Sequence, residues 1–503
     1  MPSLTTLLDT PVRWTQAAVD ADTRAFLDDL QANILKGHGR HHSAHVFMSF
    51  QGLDPDQTAG IVRALGQACT SAYEQLRANK RLPPFLDGGT LRTLFLSASG
   101  YQALGPNVEI PPGEAFRAGM ADRAADLGDP DRCKWDHEGW ADTKPDAMFL
   151  IADADPQAVA ADADAVKAWL TLTGVTVLAV ERGLQQTRHF RAGVAEGVEH
   201  FGYVDGRSQP LFLQEDIDEE ALSTGGWDFR FKPSQFLVND PNGSGPMSAG
   251  SYFVFRKLEQ NVRGFNAAED ALGRKLFGIT AEEGDLTDAQ KVQLDRAGAM
   301  VVGRFEDGTP LVLSDHEAGL APPNNFDYAG DPNAAKCPFH AHIRKVNPRG
   351  DIERITGAID LEPGRRPIMA RRGITYGALR PHSADLSEFA DAGHEPEKDV
   401  GLLFMAYMAN IENQFEFTQK SWANNKAFVA NIVPSQMRPS TGIDPIIGQT
   451  ADAPSHEHTW LDGHTPGAQP QTIGFDAFVT MKGGEYFFAP SLTFLRGVGL
   501  QAV

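Results

Sequence analysis

The amino-acid sequence predicts an α+β protein, and three observations support that prediction. Apolar segments of strand length recur along the chain, and HVFMSF and DAMFLIADAD are two of them. Longer segments with apolar residues at helical spacing lie between them, as in GIVRALGQACTSAYEQLRAN. The chain has 503 residues, which is enough for about two to four domains and a large core.

The elements of the first half predict one domain of known topology. Residues 1–22 are expected to form a loose N-terminal arm, and a helix then begins at Asp22 or Thr23 and stops at Gly37. The predicted elements that follow are strand HVFMSF, helix GIVRALGQACTSAYEQLRAN, strand TLRTLFLSASGYQAL, strand DAMFLIADAD, helix PQAVAADADAVKAWLTL and strand VTVLAVERGLQQ. This order is that of a ferredoxin-like domain, which we assign to residues 23–215.

The second half, residues 216–503, again mixes strands and helices and predicts a second ferredoxin-like domain with long insertions. A strand that leads into a helix is followed by a charged helical region up to about Gly298 and by a long irregular section. The segments that define this half are SYFVFRKLEQNV, APPNNFDYAGDPNAAKCPF, GLLFMAYMA, IENQFEFTQKSWANN and VTMKGGEYFFAP.

Composition and charge exclude several classes of partner. A net charge of -21 and a pI near 5.1 argue against nucleic acid and anionic membranes as partners. Three cysteines are too few for a disulfide framework and fit a reducing compartment. The N-terminal segment does not have the pattern of a signal peptide, and no apolar run is long enough to span a membrane. We therefore expect a cytoplasmic protein, whose oligomeric state the sequence leaves open.

Three polar residues stand out as candidates for chemistry, although each also has an ordinary explanation. Asp205 lies between glycines in GYVDG, where an aspartate is most often a turn former. Arg371 begins an Arg-Arg pair that a solvated strand edge would also explain. His342 follows Cys337 and His340, which suggests a metal site, but a closed zinc site needs four ligands.

Taken together, the segments around these residues resemble the dye-decolorizing peroxidase family. FGYVDGRSQP has the form of the family's GxxDG signature, and AHIRKVNPR and RRGITYG resemble its axial-ligand and distal-arginine segments in the same order. The resemblance runs from Asp29 to Leu492. It also includes the segments DLQANILKGHGR, GSYFVFRKLEQNV, NQFEFTQKSWAN and TMKGGEYFFAPSL.

The resemblance implies two ferredoxin-like domains, with one haem b per chain held between them or within the second. It implies that His342 is the axial ligand of the haem iron, with His340 as the rival ligand. Asp205 would be the distal acid/base, and Arg371 would stabilise the charge that develops as the peroxide bond breaks. If the Arg371 segment is a strand, Arg372 should point to the opposite face.

The remainder of the haem site is expected from four further residues. Arg207 follows the Asp205 loop and is a candidate partner of a haem propionate. Leu403 and Met405 alternate onto one face of a strand and would form part of the apolar haem wall, although core packing explains them equally well. Glu412, rather than Glu416, is expected to be the carboxylate behind His342.

The activity implied by the resemblance is that of a haem-dependent peroxidase. It would reduce H2O2 and oxidise phenolic compounds and dyes in one-electron steps. Two alternatives stay open at this point. One is a haem-binding or haem-handling protein with incidental peroxidase activity, and the other is a non-haem metal hydrolase that uses Cys337, His340 and His342.

Overall fold

A computed structural model describes residues 4–500 of the chain with internal gaps. The gaps are residues 19, 81–87, 137–139, 141, 192–193, 221–227, 320–323, 359–361, 381–394, 427, 429–441 and 450–454. None of the described helices is long and apolar enough to cross a membrane.

The described chain contains both strands and helices throughout its length. The strands are β1 His42–Ser49, β2 Leu91–Leu96, β3 Ala147–Asp153, β4 Thr176–Leu184, β5 Thr187–Arg191, β6 Val194–Gly197, β7 Val238–Asn239, β8 Ala249–Gln260, β9 Ala370–Arg371, β10 Ile374–Tyr376, β11 Gly401–Met408, β12 Ser455–Trp460, β13 Gln471–Asp476 and β14 Val479–Ala489. The helices are α1 Leu4–Leu8, α2 Ala21–Asp29, α3 Pro55–Ala68, α4 Ala72–Lys80, α5 Ala98–Ala103, α6 Glu114–Ala118, α7 Ala124–Leu127, α8 Pro156–Leu172, α9 Gln214–Glu220, α10 Val262–Phe277, α11 Asp288–Val302, α12 His342–Val346, α13 Asp351–Thr356, α14 Glu362–Arg365 and α15 Leu492–Gly497.

The main sheet contains the same strand arrangement twice. In the first half the order is β2-β3-β1-β4, and in the second half it is β10-β11-β8-β14, with antiparallel pairing throughout. Each set follows the order of a ferredoxin-like unit, in which the first and third strands are central. The prediction of an α+β fold with two ferredoxin-like units is confirmed.

The two units share one sheet and one core. Strand β14 pairs with β2 through Phe488 and Leu96, which joins the units edge to edge. The sheet curves so that strands of the two halves also face each other, and the rings of Phe47 in β1 and Phe255 in β8 lie 4.9 Å apart. The division between the domains at residues 215 and 216 stays a prediction, and helix α9 spans that position.

The start of the chain differs from the prediction of a loose arm. Within residues 4–18 the structure has helix α1 and a 3-10 helix at Trp14–Ala18. Val12 is buried and forms a parallel bridge with Leu213, and its N–H donates to the carbonyl of Phe212 at 2.7 Å. The prediction was wrong for these residues because a few apolar side chains anchor the segment without any helical periodicity. Residues 1–3 and 19 lie outside the described residues.

Two predicted helices end earlier than expected, for local reasons. Helix α2 ends at Asp29 instead of Gly37, and beyond it the backbone N–H of Ala32 donates to the carbonyl of Thr70 at 2.9 Å. The long helix predicted after β1 is divided into α3 and α4, because Ser71 forms an antiparallel bridge with Gln31 between them. In both places a contact distant in sequence replaces the helical backbone bonds.

We predict that Gly401→Ala destabilises the protein. Gly401 begins β11, and a Cβ there would overlap the carbonyl oxygen of Leu258 on the neighbouring strand. Overpacking a core typically costs about 1–3 kcal/mol of stability. The cost is at the upper end here because a backbone carbonyl can move away from an added Cβ less easily than a side chain can. The free energy of unfolding, measured with urea, should fall by at least that amount. Gly284→Ala is the matched control, because a Cβ there meets nothing within 4 Å, and an equal loss in both variants would contradict the prediction.

Candidate functional site

One large cavity lies against the second ferredoxin-like unit. Apolar side chains line much of it, among them Val302, Ile343 and Ile446. Alternate residues of two paired strands form its floor, namely Arg256 and Leu258 of β8 and Leu402 and Phe404 of β11. The cavity therefore offers a ligand a mainly apolar surface with a few charged side chains.

The floor of the cavity corrects one prediction. Leu403 and Met405 are fully buried and lie on the face of β11 that packs into the core, whereas Leu402 and Phe404 line the cavity. Successive side chains of a strand point to opposite faces, so the predicted alternation is right and the chosen face is wrong. The cause is that β11 reads GLLFMAYM and is apolar on both faces, which removes the contrast needed to choose between them.

His342 is the first residue of the short helix α12 and lines the cavity. Its Nδ1 donates to Oδ2 of Asp444 at 2.9 Å. The other oxygen of Asp444 accepts from the N–H groups of Ile446 and Ile447 at 2.8 and 3.0 Å. A carboxylate behind Nδ1 fixes the tautomer and leaves Nε2 free to bind a metal.

Asp444 stays ionised although its side chain is fully buried. Burial by itself would raise the pKa of this carboxyl. The charge of His342, its hydrogen bond and the two backbone N–H donors outweigh that effect and lower the pKa below its ordinary value. The buried carboxylate is therefore compensated by the imidazole of His342 and by two backbone N–H donors.

The prediction that Glu412 stands behind His342 is wrong. Glu412 lies in a π-helical segment, Glu412–Glu416, and accepts the N–H of Ala115 at 2.8 Å. Asp444 takes the predicted role from 102 residues beyond His342. The available signal was an aspartate inside the apolar sequence GIDPIIG, because an acidic residue in such a segment needs a buried partner.

His340 is not placed to act as a ligand in this cavity. It is 1% exposed, and its ring packs edge-on against Trp460 with centroids 4.4 Å apart. Cys337 is also buried, and its carbonyl accepts from Arg344. Among the described residues no group of three or more His, Cys, Asp or Glu side chains could hold a metal ion. The ligand set that a non-haem hydrolase would need is therefore not assembled.

The basic residues after His342 hold its helix in place. Arg344 is completely buried, and its guanidinium pairs with Asp331 and Asp351 at 2.9 and 2.7 Å. Lys345 donates to the carbonyl of Gly442 at 2.5 Å, two positions before Asp444 in the chain. One lysine thus ties the helix that carries His342 to the segment that carries its carboxylate.

Asp205 and Arg371 meet at the wall of the same cavity. Nη1 of Arg371 lies 3.4 Å from Oδ1 of Asp205, and Nη2 donates to the carbonyl of Arg207 at 2.8 Å. Each of the two side chains is 34% exposed, so both can reach a small molecule inside the cavity. Arg372 points the other way and donates to backbone carbonyls of residues 33 and 34, which confirms the predicted opposite facing.

The loop that carries Asp205 turns sharply where it lines the cavity. Gly206 has a φ of +81°, a conformation that glycine adopts at little cost and other residues rarely adopt. The N–H of Asp205 donates to the carbonyl of Gly197 at 3.0 Å. Upstream in the loop, the carboxylate of Glu199 accepts the N–H groups of Phe201 and Tyr203 at 2.9 and 3.0 Å. The position of Asp205 is therefore set by backbone bonds on its N-terminal side.

Further arginines make this wall of the cavity positive. Arg207 lines the cavity, and its Nη2 pairs with Glu196 at 2.6 Å. Arg304 also lines the cavity, and burial together with the charges of Arg207 and Arg371 lowers its pKa to about 10. The sequence reasoning missed Arg304, which follows a glycine at the end of helix α11 and has no motif around it.

The residues of the cavity fit a haem group. One imidazole with a buried carboxylate behind it suits an iron ligand, and apolar side chains from two strands suit a flat macrocycle. Arginines at the wall suit its acidic propionates. The fit rests on the donor set and on the apolar side chains of the cavity floor.

The whole chain is similar to known peroxidases. It is 43% identical to the multifunctional dye peroxidase DyP2 of Amycolatopsis sp. over 98% of this chain and 99% of the relative. It is 30% identical to the dye-decolorizing peroxidase msp1 of Mycetinis scorodonius over 97% of this chain and 91% of the relative. No family model matches the sequence.

Solved structures give the same result. The DyP-type peroxidase of Anabaena sp. superimposes with a TM-score of 0.82 at 35% identity, covering 98% of both chains. DyP2 from Amycolatopsis sp. superimposes with a TM-score of 0.82 at 39% identity, covering 97% of this chain and 99% of that one. With its cavity, its His342–Asp444 pair and its relatives in agreement, the chain belongs to the dye-decolorizing peroxidase family.

Proposed function

We propose that this haem peroxidase reduces H2O2 with Asp205 as acid/base, Arg371 as charge stabiliser and His342 as axial ligand. It then oxidises phenolic compounds and dyes one electron at a time. The observation that supports the proposal most directly is that one cavity is lined both by the carboxylate-backed His342 and by the Asp205–Arg371 pair.

The proposed cofactor is haem b, one per chain. When bound, it supplies an iron that can take up peroxide and exchange electrons. Nε2 of His342 would ligate that iron, and Asp444 would hold the ring and raise its basicity. Arg207 and Arg304 would pair with the propionates, and Leu258 and Leu402 would cover the ring. Leu403, Met405 and Glu412 have no part in this assignment.

The proposed role of Asp205 is proton transfer. Its carboxylate takes a proton from one oxygen of H2O2 and gives it to the other oxygen, which leaves as water. A carboxylate can act as a general acid and base when it lies within hydrogen-bond reach of the proton that it transfers. The guanidinium of Arg371, fixed by the carbonyl of Arg207, stabilises the negative charge that develops on the departing oxygen.

The proposed donors are dyes, which the names of the relatives mention, and phenolic compounds. The Asp205–Arg371 pair argues against a protein that only binds or handles haem, because haem binding alone does not need an acid/base beside a fixed cation. The net charge of -21 disfavours nucleic acid as a partner. We propose a cytoplasmic location because the three cysteines are free thiols.

We predict that His342→Ala loses haem or holds it weakly, whereas His340→Ala retains it. The physical reason is that His342 faces the cavity and His340 packs on Trp460 outside it. The measurement is a haem titration of each purified variant, read from the intense haem absorption band. Normal haem affinity in His342→Ala would contradict the assignment of the axial ligand.

We predict that Asp444→Asn weakens haem binding or peroxidase activity by about 10–100-fold, the usual cost of losing a carboxylate behind a ligating histidine. Asparagine keeps the size of the side chain but not its charge. Glu412→Gln is the matched control, because Glu412 contacts Ala115 and not His342. Haem titration and steady-state kinetics distinguish the two positions, and a larger effect at Glu412 would reverse the assignment.

We predict that Arg371→Leu slows the peroxide step by about 100- to 1,000-fold while haem stays bound, the usual effect of removing a preorganised charge-stabilising donor. Asp205→Asn should slow it by about 100- to 10,000-fold, the range for general acid–base assistance. Stopped-flow absorption of the haem-loaded protein after mixing with H2O2 measures both. Arg366→Leu, at an exposed arginine nearby in the chain, should leave the rate unchanged. A change below about tenfold in both site variants would place the peroxide elsewhere.

A further inference from the structure

A hydrogen-bonded pair of ionisable side chains lies directly behind the cavity wall. Tyr203, two positions before Asp205, lines the cavity and is only 4% exposed. Its phenolic O–H donates to Oε1 of Glu269, which is carried by helix α10. The ring of Tyr203 stands edge-on to Phe265 of the same helix, with centroids 6.4 Å apart. The tyrosine therefore has one side toward the cavity and its hydroxyl on a buried carboxylate.

Helix α11 has a glycine at the position where it packs against Tyr203 and Glu269. Gly298 lies in the interior of helix α11, where glycine costs about 1 kcal/mol relative to alanine. A Cβ at position 298 would overlap both the Tyr203 hydroxyl and Oε1 of Glu269. The helix thus leaves open the space that the two groups occupy, and it screens them from solvent.

The surroundings of Glu269 make its carboxyl easy to protonate. Burial raises its pKa to about 8, and the negative charges of Glu306, Asp295 and Glu199 act in the same direction, while the hydrogen bond from Tyr203 opposes them. Among these neighbours Glu306 is partly neutralised by Arg188 at 2.5 Å. A carboxylate in this environment is a better proton acceptor than an ordinary glutamate.

The tyrosine itself does not give up its proton by simple ionisation. Burial, together with the charges of Glu269 and Glu306, raises the pKa of Tyr203 well above its ordinary value. Removing an electron from a phenol makes its O–H strongly acidic, so a hydrogen-bonded base allows the electron and the proton to leave together. Tyr203 and Glu269 have the arrangement that this coupled step requires.

We propose that Tyr203 is a one-electron donor in the cavity wall and that Glu269 accepts its phenolic proton. The O–H bond of Tyr203 breaks, a new O–H bond forms on Oε1 of Glu269, and one electron passes to the oxidant that H2O2 generates in the cavity. The products are a neutral tyrosyl radical and a neutral glutamic acid. A phenolic donor then returns one electron, and the proton moves back. This inference rests on the proposed peroxidase function, which supplies the oxidant.

The proposal has a pH dependence with a definite sign. Glu269 can accept the proton only when it is ionised, and its ionised fraction increases as the pH rises through about 8. In acid, the carboxyl already holds a proton, so Tyr203 keeps its electron and the oxidising equivalents remain for external donors. Above that range, Tyr203 is oxidised when no donor is present.

A second buried tyrosine provides a matched control. The hydroxyl of Tyr486 lies 3.1 Å from Oε1 of Glu416, so this pair has the same chemistry. Glu416, however, is also paired with Arg123 and Lys420 at 2.7 and 2.9 Å. These partners hold the pKa of Glu416 below its ordinary value even though burial opposes them. Tyr486 also lies outside the set of cavity-lining residues. It should therefore not be the residue that is oxidised.

The test is electron paramagnetic resonance of haem-loaded, full-length protein, freeze-quenched after one equivalent of H2O2 without donor. Tyrosine deuterated at the β-carbon distinguishes tyrosyl from tryptophanyl signals. At about pH 9, one unit above the pKa of the acceptor, we expect a tyrosyl signal in the wild type and in Tyr486→Phe. We expect its loss in Tyr203→Phe, and in Glu269→Gln a weak signal that no longer changes with pH.

Each alternative outcome identifies what has failed. A tyrosyl signal of unchanged size in Tyr203→Phe, or one of equal size at pH about 6 and about 9 in the wild type, would overturn the proposal. Wild-type protein that binds no haem, or whose haem absorption does not respond to H2O2, would overturn the proposed function and this inference with it. Far-UV circular dichroism and haem content identify a misfolded Tyr203→Phe variant. If that variant is misfolded, the Glu269→Gln variant provides the test. A tyrosyl signal that no longer changes with pH in Glu269→Gln would support the proposal, and a signal that still changes with pH would overturn it.

Discussion

The hydrogen bond between His342 and Asp444 is the constraint on which the site depends. It spans 102 residues of sequence and brings a fully buried carboxylate to the base of the cavity. Burying a carboxylate is costly unless hydrogen bonds and an opposite charge compensate for it. Here an imidazole and the N–H groups of Ile446 and Ile447 provide that compensation. Lys345 adds a second tie between the same two segments, so the orientation of the ring follows from the fold.

The floor of the cavity is determined by the alternation of side chains along the strands of the sheet. Leu258 pairs with Leu402, and Arg256 with Phe404, across strands β8 and β11. These four side chains face the cavity, whereas Leu403, between Leu402 and Phe404, faces the core that the two units share. A shift of register by one residue would exchange the two sets. The packing between the halves therefore also determines which side chains reach the ligand.

The sequence predicted those parts of the molecule that carry a local signal. The order of the four strands in residues 42–184 was predicted because alternation and helical spacing are properties of short segments, and α8 has the predicted bounds. Asp205 and Arg371 were chosen as candidates from the segments around them, and the structure brings them together at the cavity wall. Asp444 was missed because its role exists only through a contact that is distant in sequence. The face of β11 to which Leu403 and Met405 belong was predicted wrongly because both faces of this strand are apolar.

The loop from residue 199 to 206 separates two electrostatic environments, and its alternate residues divide between them. On the cavity side, Asp205 lies beside Arg371, with Arg207 and Arg304 nearby. On the far side, Tyr203 lies against Glu269 in a region that contains further acidic groups, where a carboxylate takes up a proton near neutral pH. The same few residues of backbone therefore place Asp205 among cations and Tyr203 among acidic groups. In the proposed function, that division lets a buried tyrosine line the cavity and still keep its electron under acidic conditions, in which Glu269 is protonated.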